Sequence, residues 1–208
     1  MPKETFFNLK EEKQARILNA AKEVFKQKSF DKASINEIIK LAEIPRGSFY
    51  QYFEDKEDIY AYMMLKRFQN NLQEFKVILK NKQGDLFATA KEFVPKLLSK
   101  ITQGDDSELF YQIAINEDYR RMQRNHHQHQ EVFLKEMYDL VDEEKLRIEN
   151  KQDLSMLLHA MFMPLGVTLY NTLKEIKAGQ KIDVHEKINA YYHALELFEH
   201  GFSKEGGN

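Results

Sequence analysis

Residues 44–60 read IPRGSFYQYFEDKEDIY. Between Ile44 and Tyr52 stand an arginine, a glycine, a serine and three aromatic rings. A buried helix carries mostly aliphatic side chains and a solvated one mostly Lys and Glu. This segment does neither. Pro45, with φ fixed near the helical value and no N–H to leave unpaired, opens a helix here. On that helix Phe49 and Phe53 share the face turned toward a small core, while Arg46, Ser48, Tyr50 and Gln51 share the outer face.

The flanks carry start signals of their own. Ser34 with Glu37 forms a capping-box pattern that opens a short helix through Ile35, Ile38, Ile39 and Leu41. Asn8 with Glu11 gives the same pattern, and Ile17, Ala21, Val24 and Phe25 then recur at helical spacing up to about Lys28. Asp55, with Asp58 in the first turn, caps a long helix running to about Lys80. Three short helices, the second and third joined by a tight turn, followed by a long one, describe a helix-turn-helix head on a stalk.

In that reading the outer face of the third helix meets DNA. Arg46 and Gln51 carry donors that suit base edges; Ser48, Tyr50 and Tyr52 suit phosphates or bases. Gly47 leaves room for the duplex. Lys56, at the positive end of the long helix, is expected to dock a phosphate.

The composition is that of a soluble globular protein. The 208 residues are 42% hydrophobic and 31% charged. The formal charge of −2 is uneven: residues 1–53 hold ten Lys and Arg against seven Asp and Glu, and residues 54–208 hold 21 against 26. A basic head on an acidic body is a mild sign of nucleic acid. With no cysteine there are no disulfides, thiolate metal sites or Cys nucleophiles. The greasiest stretch, LSMLLHAMFMPLGVTLYNTL at 154–173, is interrupted by His159, Pro164 and Gly166, so no membrane span is expected. The chain opens without a secretion signal, and a cytoplasmic location follows as the expectation.

Residues 33–60, ASINEIIKLAEIPRGSFYQYFEDKEDIY, resemble the DNA-binding signature of the TetR family of one-component transcriptional regulators. The resemblance rests on the Ser34 cap, the core positions Ile38 and Ala42, the placing of Gly47, the run Tyr50, Tyr52, Phe53, and Lys56. It covers residues 10–60 closely and the remainder by length and helix count. It implies an all-α fold of about nine helices, with a helix-turn-helix domain at 1–55 and a ligand-binding and dimerisation bundle at 56–208. Ser34 joins the DNA-contacting set on the same ground. Ser29 and Glu43 stand where the family often has glycine, and a left-handed backbone at either costs roughly 1 kcal/mol.

A helix-turn-helix head binds as a symmetric pair, so a dimer surface is required. Val184, Ile188, Tyr191, Leu195, Phe198 and Phe202 make a coiled-coil-like seam on the last helix. The helix before it is apolar nearly all round, which fits the family's four-helix dimer interface. Pro164 is expected to kink or break that helix by removing a hydrogen bond and crowding Ala160. For the effector chamber that the family implies, the segments rich in Met, Phe and Tyr supply Phe110, Tyr111, Met122, Phe133, Met137, Met161, Phe162 and Tyr170. Their chemistry suits a small hydrophobic or aromatic effector.

The resulting expectation is a repressor that binds palindromic operator DNA as a homodimer and is released by such an effector. It is not an enzyme and needs no cofactor, since no nucleophile elbow, zinc-protease, Walker or dinucleotide motif occurs. Competing readings are a helical metal-dependent enzyme and a protein-protein adaptor. His126 and His129 could share a helical face near Glu131, but a polar turn explains NHHQHQ better than a metal site. His159 and His193 read as hydrogen-bonded core or interface histidines.

Overall fold

The structure, a computed structural model, describes residues 1–104, 107–115 and 136–202, with 113–115, 201 and 202 described by backbone alone. Among the described residues the fold is all-α: α1 (Glu4–Phe7), α2 (Glu11–Gln27), α3 (Ile35–Leu41), α4 (Arg46–Tyr52), α5 (Lys56–Asn81), α6 (Leu86–Thr102), α7 (Ser107–Ile115), a 3-10 turn (Glu143–Lys145), α8 (Lys151–Lys177) and α9 (Val184–Phe202). Two compact units emerge, one of Met1–Gln69 with Asp106–His126, the other of Asn70–Asp105 with His127–Asn208. His126, His127, His129 and Glu131, with the pocket candidates Met122 and Phe133, lie outside the described residues.

The first unit is built on buried Phe6, Ile17, Phe25, Ile38, Phe49, Phe53 and Tyr60. Its entry differs from the expected capping box. Asn8 is the C-cap of α1, donating its N–H to the carbonyls of Glu4 and Phe6, and α2 starts after Lys10 with no side-chain cap. Gln14 holds the approach instead, donating Nε2 to Leu9 O at 2.9 Å, and Glu11 and Glu12 face the positive helix end.

Ser34 caps α3 as its sequence predicts, with Ser34 Oγ accepting from Glu37 N–H and Glu37 accepting from Ser34 N–H at 3.1 Å. At the other end of α3, Ile44 N–H donates to Ile39 O (3.1 Å) and Glu43 N–H to Lys40 O (3.4 Å). That is the Schellman pattern, whose turning residue is left-handed and usually glycine. Here it is Glu43, with φ of 53°. Ser29, the other departure, is not left-handed; it is buried, and its carbonyl accepts from the N–H groups of Lys32 and Ala33.

The second unit centres on Leu79, Leu86, Leu98, Leu154, Leu157, Leu158, Met161, Tyr191 and Leu195. Gly84, φ 77°, brings its backbone so close to the 3-10 turn that an added Cβ would lie 2.5 Å from Asp142 N. Helix α9 packs on α8 and α6. Pro95 sits inside α6 and has no N–H for the carbonyl of Lys91, one turn back. The hydroxyl of Tyr192 on α9 donates to that carbonyl at 2.7 Å. Ion pairs Lys91–Glu199 and Lys187–Glu175, each 2.5 Å, join α9 to α6 and α8.

Helix α8 runs unbroken through Pro164 and Gly166, so of the expected kink or break the break does not occur. It is also the one helix among the described residues long and apolar enough, by length and composition, to cross a membrane, with 33% of that window buried. His159, Pro164 and Gly166 therefore do not interrupt it as expected: averaged over a continuous helix, their polarity and breaking tendency are outweighed by Leu, Met, Phe and Val.

Candidate nucleic-acid interface

Helix α4 has only seven residues. Phe49 and Phe53 are fully buried, with ring centroids 5.5 Å apart, and Phe53 packs 4.9 Å from Phe6. Arg46, Gly47 and Gln51 are exposed, Tyr50 is 39% exposed and Ser48 half-buried. A Cβ at Gly47 would meet nothing within 4 Å, so the protein leaves open space there.

The exposed edge is tied together by its own side chains. Arg46 Nη1 donates to Asn36 Oδ1 at 2.5 Å, Nη2 donates to Tyr50 Oη at 3.3 Å, and its guanidinium lies 5.7 Å from the Tyr50 ring centroid. Asn36, exposed on α3, thus joins a cluster that spans both helices of the motif. Sequence reading passed it over, although its position just inside the capped start of α3 was a usable signal.

Two of the expected DNA contacts are engaged within the head: Tyr52 is buried and Lys56 half-buried. Tyr52 is 6% exposed, its ring 6.3 Å from Phe6 and 5.6 Å from the Lys13 ammonium. Lys56 donates to the carbonyls of Phe30 (2.6 Å), Ala33 (2.8 Å) and Asp31 (3.3 Å). Their polar tips suggested exposure, but burying the aromatic body of one and satisfying loop carbonyls with the other dominates.

Charge is arranged around the capped start of α3. Lys28 pairs with Glu37, and that hydrogen bond, followed by the one from Ser34, holds the Glu37 carboxyl below its ordinary range. Ser34 is half-buried, so its hydroxyl lies at the edge of the same surface.

The other predicted sites scatter. In the first unit Phe110 is buried under Arg67, whose guanidinium lies 4.3 Å from its ring centroid, and Tyr111 is 47% exposed. In the second, Met137 and Met161 are buried, Phe162 is half-buried 5.8 Å from the Phe75 ring, and Tyr170 is 44% exposed. Two residues of the predicted seam on α9 are buried within the chain: Tyr191 and Leu195 are each 1% exposed, and burial pushes the Tyr191 phenol well above its usual range. Val184, Ile188 and Phe198 are half-buried; the Phe202 side chain is outside the described residues. On α8 and α9 the large exposed apolar side chains among the described residues are Met156, Met163, Val167, Tyr170 and Leu197. Among the described residues no group of His, Asp or Glu is arranged to hold a metal.

Comparison with known proteins gives this geometry a family. The family model "Bacterial regulatory proteins, tetR family" matches residues 17–63, and "Tetracyclin repressor-like, C-terminal domain" matches residues 85–202. The uncharacterized HTH-type transcriptional regulator YvdT of Bacillus subtilis is 46% identical over 56 residues, 27% of this chain and 26% of that protein. The fatty acid metabolism regulator protein of the same organism is 30% identical over 91 residues, 44% of each. The chain therefore spans less than half the length of these two relatives. The solved transcriptional regulator FadR from Bacillus subtilis, in complex with stearoyl-CoA, superposes with a TM-score of 0.52 at 18% identity, covering 88% of this chain and 96% of that one. With both its head and its helical body matched, the chain belongs to the TetR family of transcriptional regulators.

Proposed function

We propose that this chain is a ligand-responsive repressor that binds palindromic operator DNA as a homodimer and releases it when a small hydrophobic effector enters the body. Residues 1–55 are the DNA-binding domain, residues 56–208 hold effector and partner, and the protein works in the cytoplasm where its DNA is. The observation that carries this reading is α4, seated by Phe49 and Phe53 and edged by Arg46, Ser48, Tyr50 and Gln51 beside the open space at Gly47. Arg46 and Gln51 read base edges, while Ser34, Ser48 and Tyr50 hold phosphates and so fix the register. Tyr52 and Lys56 act from inside by holding the head in shape.

The partner is a second copy. Met156, Met163, Val167 and Tyr170 recur at heptad spacing along α8, and Leu197 on α9 is 65% exposed, so an apolar face of two helices is left for another such pair. For the effector, an acyl chain is the first class to test. The similarity to a fatty acid metabolism regulator and to a structure holding stearoyl-CoA supports it, as do Met137, Met161 and Phe162 in the body. By linkage, whatever factor the effector takes from DNA affinity, DNA takes from effector affinity.

The test is selection of duplexes from a randomised library, followed by titration of stearoyl-CoA into the complex. The expected result is a palindromic consensus, binding that weakens steeply with salt, and dissociation on adding the acyl thioester. Tyr50→Ala is expected to cost about 1–3 kcal/mol of affinity for the consensus. Failure to enrich any duplex at any salt would sink the proposal.

A further inference from the structure

The last helical donor of α4 is Phe53 N–H, bonded to Phe49 O at 2.8 Å. The carbonyls of Tyr50, Gln51 and Tyr52 are then beyond the reach of any helical amide. All three are met from one place. Lys3 Nζ donates to Tyr50 O at 2.9 Å, Thr5 Oγ1 donates to Gln51 O, and Lys3 N–H donates to Tyr52 O at 2.8 Å. No basic residue lies in the last turn of α4 itself, so the Lys3 ammonium supplies the cation that a helix C-terminus favours.

The segment that brings these donors is fixed in the core. Phe6 is fully buried, with its ring 4.9 Å from Phe53, 6.3 Å from Tyr52 and 5.6 Å from Tyr62. Such an anchor matters because a helix of two turns is unstable by itself and frays at its ends. The fraying end of α4 carries Tyr50 and Gln51, whose side chains form the exposed edge.

We infer that Lys3 and Thr5 are positioning residues for DNA recognition: the segment Lys3–Phe6 is a clamp that holds the last turn of α4 closed and thereby sets the direction of Tyr50 and Gln51. The inference rests on the DNA-binding reading above. It differs from a phosphate contact by Lys3, because a clamp acts on the specific complex and Thr5 carries no charge at all.

The experiment compares Thr5→Val, Thr5→Ser, Lys3→Met and, as a charge control, Lys10→Met. Affinity is measured for the duplex enriched by the wild-type protein and for a random-sequence duplex, each across a salt series, with amide hydrogen exchange on the free protein. Thr5→Val and Lys3→Met are each expected to lower affinity for the enriched duplex by about tenfold, well beyond any loss on random DNA. Exchange at residues 49–53 speeds up in both, the salt slope of Thr5→Val stays at its wild-type value, and Thr5→Ser restores binding. Lys10→Met leaves the ratio of specific to random affinity unchanged.

Should Thr5→Val alter neither that ratio nor the exchange of 49–53, the clamp is refuted while DNA binding stands. Equal losses on both duplexes in Lys3→Met, with a shallower salt slope, would make Lys3 a phosphate contact and likewise overturn the clamp. A wild-type protein that enriches no duplex defeats the repressor reading instead, and unchanged exchange at 49–53 in Thr5→Val then refutes the clamp separately.

Discussion

The Lys56 ammonium lies 2.6 Å from the carbonyl oxygen of Phe30 and 4.4 Å from the centroid of that residue's ring. It therefore ties the start of α5 to the link between α2 and α3, where Phe30 stacks with Phe25 and meets Tyr60 edge-on. Lys56→Met keeps most of the stem and deletes the donors. Stability of the head is expected to fall by about 1–3 kcal/mol in urea denaturation, as acceptors are left unmatched. Full stability with a shallower salt dependence of DNA binding would return Lys56 to the phosphate-contact role its sequence context suggested.

Glu43 is the place to gain stability. Its φ of 53° is a conformation in which a Cβ crowds the backbone, and glycine relieves that at the expense of a freer unfolded chain. Glu43→Gly is expected to stabilise the head by about 0.5–1 kcal/mol in chemical denaturation. Destabilisation would show that the Glu43 side chain contributes more than its backbone costs.

Exposed and buried apolar residues on α8 and α9 are expected to respond differently. Met163→Glu combined with Leu197→Glu should leave a folded monomer in analytical ultracentrifugation, since both side chains are more than 60% exposed. Tyr191→Ala should instead lower stability by about 3–5 kcal/mol, the scale of a large-to-small change in a core. A folded double variant that still sediments as a dimer would move the interface elsewhere.

Acid should loosen the head through Glu37. Its folded pKa is depressed by Lys28 and then Ser34, so its contribution is present above the unfolded carboxylate pKa and lost as pH falls through the lower folded value. Thermal melting of wild type and Glu37→Gln should therefore diverge at neutral pH and converge in acid. A constant difference at every pH would mean that the carboxylate charge plays no part.

The head was legible wherever the signal was local. Ser34 with Glu37, Pro45, and the turn spacing of Phe49 and Phe53 each depend on neighbours within one helical turn. Helix α1 left no such trace, because Glu4–Phe7 is too short for periodicity and is held by residues distant in sequence, Gln51 and Tyr52 among them. The contacts of Tyr52 and Lys56 within the head were hidden for a related reason: a phenol or ammonium advertises solvent, but its stem and its donors can both be used inside. On α9, heptad spacing announced a covered face without saying what covers it. Tyr191 and Leu195 meet their own chain, and the exposed apolar side chains Met156, Met163 and Val167 lie on a helix that read as apolar all round.

Pro95 and Tyr192 carry a consequence for how this chain can drift. The imide at 95 leaves one oxygen of the backbone at Lys91 vacant, and a phenol from a different helix fills it. Losing the phenol alone strands that oxygen, whereas restoring an amide at 95 would give it a second donor, which a carbonyl with two lone pairs can accept. Tyr192 thus becomes dispensable only once an amide returns at 95, an order of change invisible to any inspection of α6 or α9 alone.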